Sequence, residues 1–143
     1  LASFILGTGI LAVLNMQALA LSTSQNNSHL LRAEWLLNDM LERMKANPFG
    51  FLTALQLLPE GKINAQCESA PGCSPEELAA HDLARWRQRL TASLPEGHGE
   101  IEATTIAGYS HSARVFRVTV RWQGSRGSGR ATQMPDSSGI VVL

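Results

Sequence analysis

The first 31 residues of this 143-residue chain carry no charged side chain. The opening run, Leu1 to Leu21, is apolar at 15 of its 21 positions. Such a run is out of place at the start of a soluble domain. It suits a bilayer core, which takes roughly 20 mainly apolar residues in a helix. No basic stretch precedes it, and it is longer than the about 7–15 apolar residues of a secretory signal. The run is therefore read as retained in the mature protein. Cysteine is also scarce, with only Cys67 and Cys73 present, and no spaced His pair completes four ligands, so a structural zinc site is excluded. Net charge is zero, and nothing global points to nucleic acid.

Catalytic spacing is missing as well. None of the four histidines forms an HExxH-like pair, and no serine sits in a GxSxG elbow. His81 reads as a surface or locally hydrogen-bonded residue, as do His29, His98 and His111. The glycine-rich stretch Gly124 to Gly129 lacks the GK[ST] of a phosphate loop and reads as a hairpin connection. No cofactor is expected. Glu76 and Glu77 are explained by a helix N-terminus, where negative charge is stabilised. From Ala103 onward there are five arginines and one acid, Asp136. Arg114, Arg117 and Arg121 are thus weak candidates for a basic face, with ordinary solvated residues the blander alternative.

What is present is a change of helical pattern. Polar uncharged residues from Gln25 to His29 follow the apolar run and mark an exit from lipid into water. Leu30, Ala33, Leu37, Met40, Leu41 and Met44 then fall on one stripe at helical spacing. Asp39 and Arg43, four apart with the acid first, suit a surface pair on the other side. Asn47-Pro48 ends the helix, because the residue before proline is pushed out of the helical region. One helix over 1–46 would be roughly 69 Å long. Residues 1–24 form its transmembrane or filament-core half, and 25–143 form a polar domain that includes its amphipathic half.

Phe49 to Leu58 reads as a short helix or packed loop. Ser74-Pro75-Glu76-Glu77 is a strong helix start, with a capping Ser, Pro at the first position and Glu closing a capping box. That helix runs to about Ser93, burying Ala79, Leu83, Trp86, Leu90 and Leu94 while Arg85, Arg87 and Arg89 project mainly outward. Past Gly99 the period changes to two. Strands are expected over 100–106, over 114–122 with Phe116, Val118, Val120 and Trp122 on one side, and over 140–143, with 130–134 an adjunct to the last. No strand–helix–strand alternation occurs, so the class is α+β: a long N-terminal helix packed on a small antiparallel sheet.

Cys67 and Cys73 flank Pro71-Gly72, a turn that brings them together. A disulfide is expected, and with it an oxidising compartment such as the periplasm. In the apolar run, Ser3, Gly7, Thr8, Gly9 and Asn15 are unusual for an inert lipid-facing helix. Small residues allow close helix approach and polar ones bond across helices. Gly7 and Gly9 also weaken the helix by about 1 kcal/mol each relative to Ala. Gly7, Gly9 and Asn15 therefore mark a helix built to pack against similar helices. Trp86 and Trp122 read as core; Trp35 lies off the buried stripe and is a candidate subunit contact.

Four segments carry a family resemblance: the run Leu1 to Leu21, RAEWLLNDMLERMKANP (Arg32 to Pro48), AAHDLARWRQRLTASLPEGHG (Ala79 to Gly99), and the strand RVFRVTVRW. Together they resemble type IV pilins, most closely the PilV-type minor pilins of Gram-negative bacteria. The resemblance places Leu1 a short way into a mature pilin, with the basic leader, the Gly before the processing site and the family's Glu upstream. Processing and N-methylation are accordingly assigned to no residue of this sequence. It implies a non-enzymatic subunit held in the inner membrane, its polar domain in the periplasm. Pilus assembly machinery would then extract it into a cell-surface pilus. Its partners would be other minor pilins and the major pilin, met through the N-terminal helix in a tip complex that primes assembly. Gly7 and Gly9 lie where related pilins lose helix on assembly. A type II secretion pseudopilin is the alternative within this layout. From other classes stand a membrane-tethered periplasmic enzyme and a DNA-binding surface protein using Arg114, Arg117 and Arg121.

Overall fold

A 45-residue helix, α1 (Ala2–Ala46), runs unbroken from the apolar stretch into the charged one. The computed structural model describes residues 2–69, 71–105, 114–124 and 136–143, with the side chains of 1–12, 14, 15, 18, 19 and 22 left out. No proline interrupts α1, and Arg43 and Lys45 in its last turn complement the helix dipole. Asn47 stops it and begins α2 (Pro48–Leu57) by accepting a hydrogen bond from the Gly50 amide, with Pro48 at the first helical position. The stretch left open between helix and loop is thus a helix. Asn47 also donates from its side-chain amide to the Pro75 carbonyl at 2.7 Å, tying the α1–α2 corner to the start of the next helix.

That helix, α3 (Pro75–Ser93), begins with the expected capping box: Ser74 accepts from the Glu77 amide, and Glu77 accepts from the Ser74 amide. Ser74→Ala is expected to lower stability by about 1 kcal/mol. A urea unfolding midpoint left unchanged by the substitution would contradict this.

Three strands follow, β1 (His98–Thr104), β2 (Val115–Arg121) and β3 (Asp136–Val142), in an antiparallel sheet of order β1-β2-β3. Ile101 lies opposite Val118, and Val118 opposite Gly139. β1 starts two residues before its expected position, and β3 four before; the adjunct at 130–134 lies outside the described residues.

The core forms where α1, α3 and the sheet meet. Ala33, Leu37, Met40 and Met44 are buried as the stripe predicts, and so is Leu36. Leu30 is not, at 44 % exposed. Among the described side chains of α1 the first buried one is Ala33, a turn later than the pattern suggests. Trp86 and Trp122 are buried. Trp86 donates its indole N–H to the Leu36 carbonyl at 2.9 Å, satisfying the one polar atom of a ring packed between two helices and a strand. Gly99 makes room for it, since a Cβ there would come within 2.2 Å of the indole ring.

Two charge expectations are corrected. Asp39 and Arg43 are not a free surface pair, for Arg43 reaches both Asp39 (3.0 Å) and Asp82 of α3 (2.7 Å). Nor do all three arginines of α3 point away. Arg89 joins Asp39 at 3.3 Å, and Arg87 donates to the Pro59 carbonyl. These groups zip α1 to α3 beside the apolar seam. The hydrogen bond to Asp39 foremost, with the charge of Asp82, outweighs partial burial and raises the Arg43 pKa above its usual value, so it stays cationic.

Among the described residues no helix is long and apolar enough to cross a membrane. The spanning role expected for 1–24 therefore rests on their sequence.

Candidate assembly face

The described side chains in the first half of α1 face mostly outward. Every described side chain from Val13 to Arg32 is exposed or only partly covered. Met16, Leu21, Leu31 and Trp35 are 75, 66, 71 and 62 % exposed. From Met16 to Leu31 no intervening residue is charged, and Gln17, Ser24, Gln25 and Asn27 are polar. Large apolar side chains repeated along a helix with no charge among them form a surface suited to burial against another apolar element. The hydroxyls and amides add hydrogen bonds that hold helices together in a low-dielectric setting. The first charge, Arg32, stands where the helix enters the polar domain. Trp35, the candidate subunit contact, is on the outside of α1 as expected. The helix backbone passes through Gly7, Gly9 and Asn15, but the surroundings of these three lie outside the described residues.

The arginine candidates do not form a uniform basic surface. Arg114 and Arg117 are exposed, whereas Arg121 is paired with Glu100 at 2.9 Å. The β1–β2 register sets Glu102 directly opposite Arg117. Acids of β1 thus alternate with arginines of β2 on the sheet's outer side, a pairing visible only once the strands are in register. Arg126 and Arg130 lie outside the described residues, as does the connection at 125–129.

A cavity of about 500 Å³ opens between α2 and β1, with Leu52, Leu55 and Phe116 beside Arg87, Glu100 and Arg114 in its lining. Arg87 faces Glu60 at 3.4 Å, and Glu100 is already paired with Arg121, so three of its charged groups, Glu60, Arg87 and Glu100, are engaged in structural pairs. No cluster of His, Cys, Asp or Glu able to hold a metal occurs among the described residues.

Cys67 and Cys73 are bonded, with Cα atoms 4.9 Å apart, as their spacing predicts. The bridge ties the end of a short 3-10 helix, Ala65–Glu68, to the residue just before the α3 cap. Thiol titration of the unreduced protein is expected to find no reactive sulfhydryl. Replacing both cysteines with serine should cost about 2–3 kcal/mol. Two free thiols, or a double variant as stable as the parent, would contradict the bridge's role.

Residues 15–84 match the Tt1218-like family, type IV pilin Tt1218. The matched segment holds α1 from Asn15 onward, all of α2, the disulfide loop and the first half of α3. This match makes the stretch similar to a type IV pilin. The long helix packed on a three-stranded antiparallel sheet has the α+β layout of a pilin. Neither curated proteins nor solved structures gave a match.

Among the contacts that depend on tertiary placement and that sequence reasoning missed are Arg43 with Asp82, the Ser137 hydroxyl donating to Glu34, and His81 accepting from the Asn64 amide. The partners are 39, 103 and 17 residues apart, so no local pattern could signal them.

Proposed function

We propose that the chain is a minor pilin of the PilV type that helps to prime a type IV pilus as part of a tip complex. The observation that carries this reading is the uncharged, outward apolar face of α1, which lies in the stretch matched to type IV pilins. Held in the inner membrane, the N-terminal half would be covered by lipid, with the polar domain in the periplasm. In the fibre, the same area would be covered by helices of other minor pilins and the major pilin. Both hosts remove apolar surface from water, so transfer between them exchanges one apolar cover for another. Gly7, Gly9 and Asn15 would serve close packing and local bending of the helix in that transfer, and Trp35 would meet a neighbouring subunit.

Deleting the gene should sharply lower the number of pili per cell while leaving secretion of periplasmic proteins intact, and the full chain should restore pili. A secretion defect with normal pili would instead identify a pseudopilin. A version lacking residues 1–24 should accumulate but stay out of fibres. Its normal entry into fibres would overturn the role given to the helix.

A further inference from the structure

His81 is 5 % exposed, yet no part of the assembly reading uses it. Its Nδ1 accepts the backbone N–H of Asn64 at 3.0 Å. An atom that accepts cannot carry a proton, so the ring hydrogen resides on Nε2. Nε2 lies 3.3 Å from Oε1 of Glu68, and Arg85 reaches that same oxygen at 3.5 Å. Glu68 adjoins Cys67, so the Asn64–Glu68 stretch that leads into the disulfide loop is held to α3 through both nitrogens of one imidazole.

The surrounding chain is built for this seat. Gly61 has φ +73°, and a Cβ there would come within 2.6 Å of the Ala84 backbone nitrogen. The Lys62 N–H donates to the Ala80 carbonyl at 2.9 Å. Of the other charges around His81, Glu77 is engaged in the α3 cap, Glu76 is exposed beside it, Arg87 and Arg89 turn to Glu60 and Asp39, and Lys62 lines the groove shared with Asn64. Asp82 turns to Arg43 instead, and α2 contributes no charged residue.

We infer that His81 is an acid-sensitive pin that docks the Asn64–Glu68 stretch on α3 when neutral and releases its Asn64 end when protonated. A second proton can enter the ring only at Nδ1. There it converts the acceptor of the Asn64 amide into a donor and sets two N–H groups against each other. The Glu68 end behaves oppositely, because its carboxylate attracts an imidazolium. Acid therefore pivots the stretch about Glu68 and Cys67 and leaves the bridge in place. The groove of about 300 Å³ lined by Leu58, Lys62, Ile63, Asn64 and Ala80 changes shape with it.

The test is residue-resolved amide exchange and ¹⁵N imidazole shifts on the full chain in detergent micelles, compared at about pH 7.5 and about pH 5. At the higher pH, His81 Nδ1 should show the shift of an unprotonated nitrogen. Protection of the Asn64 amide, relative to its unfolded-chain rate, should fall about tenfold at the lower pH. The Trp86 amide should keep its protection. His81→Gln retains an acceptor and a donor but does not titrate, so its Asn64 protection should be the same at both values. A proton on Nδ1 near neutrality, or Asn64 protection unmoved by acid in the wild type, overturns the pin. So does an equal acid-induced loss in His81→Gln. The wild-type titration decides alone should the variant not fold.

Discussion

Trp86→Ala is expected to lower the stability of the polar domain by about 3–5 kcal/mol, a large share of the roughly 5–15 kcal/mol that holds a domain of this kind together. The indole is 1 % exposed and sits where α1, α3 and β1 converge. Its removal leaves a void bounded by three elements that cannot all close inward. It also deletes the N–H that reaches the Leu36 carbonyl. Gly99→Val acts on the same contact from the other side, because any Cβ at 99 enters the ring, so the two substitutions should couple when combined. Trp35→Ala removes an equally large ring from an exposed position and should change stability by less than about 0.5 kcal/mol. Urea denaturation followed by circular dichroism checks all three. A loss below about 1 kcal/mol for Trp86→Ala would show that the seam is not organised around this ring.

The second large effect concerns assembly. Leu31→Glu and Trp35→Glu should leave the fold within about 0.5 kcal/mol of wild type, since both side chains already face outward. Their recovery in sheared fibres should nevertheless drop by about 100-fold or more relative to the cellular pool. An unpaired carboxylate buried at a helix–helix contact costs about 3–5 kcal/mol. Immunoblots of fibre and cell fractions provide the ratio. Wild-type recovery of both variants would show that this face stays in water in the fibre, and the assembly role proposed for it would fail. Thr119→Glu, on the partly buried strand face of the sheet, serves as a control that adds the same charge away from α1.

Much of the architecture was legible because it follows from short-range rules. The capping box at Ser74 needs only four consecutive residues, and Asn47-Pro48 needs two. The alternation in β2 placed Val118, Val120 and Trp122 inward without reference to any partner strand. The exposed face of α1 was legible for a similar reason: thirty-one residues without charge have few uses, whatever they touch. Less could be read wherever a residue's surroundings come from elsewhere in the chain. Leu30 has the right spacing for the core but lies one turn before the first buried one among the described side chains, Ala33. Asp39 and Arg43 satisfy a surface-pair rule, yet α3 brings Asp82 and Arg89 to the same place. The arginines of β2 look like a basic stripe until register sets Glu102 opposite Arg117 and Glu100 beside Arg121.

The sequence by itself determined the long helix, its change from greasy to amphipathic, the capped second helix, the bridge and the strand alternation. Each depends on neighbours within a few positions, where backbone sterics and side-chain period act directly. Only the tertiary structure decided that Leu30 stays exposed, which carboxylates receive Arg43, how the sheet's charges cancel, and that His81 holds a loop. Those outcomes depend on elements tens of residues apart arriving at one place, and electrostatic and packing energies are set by that final distance.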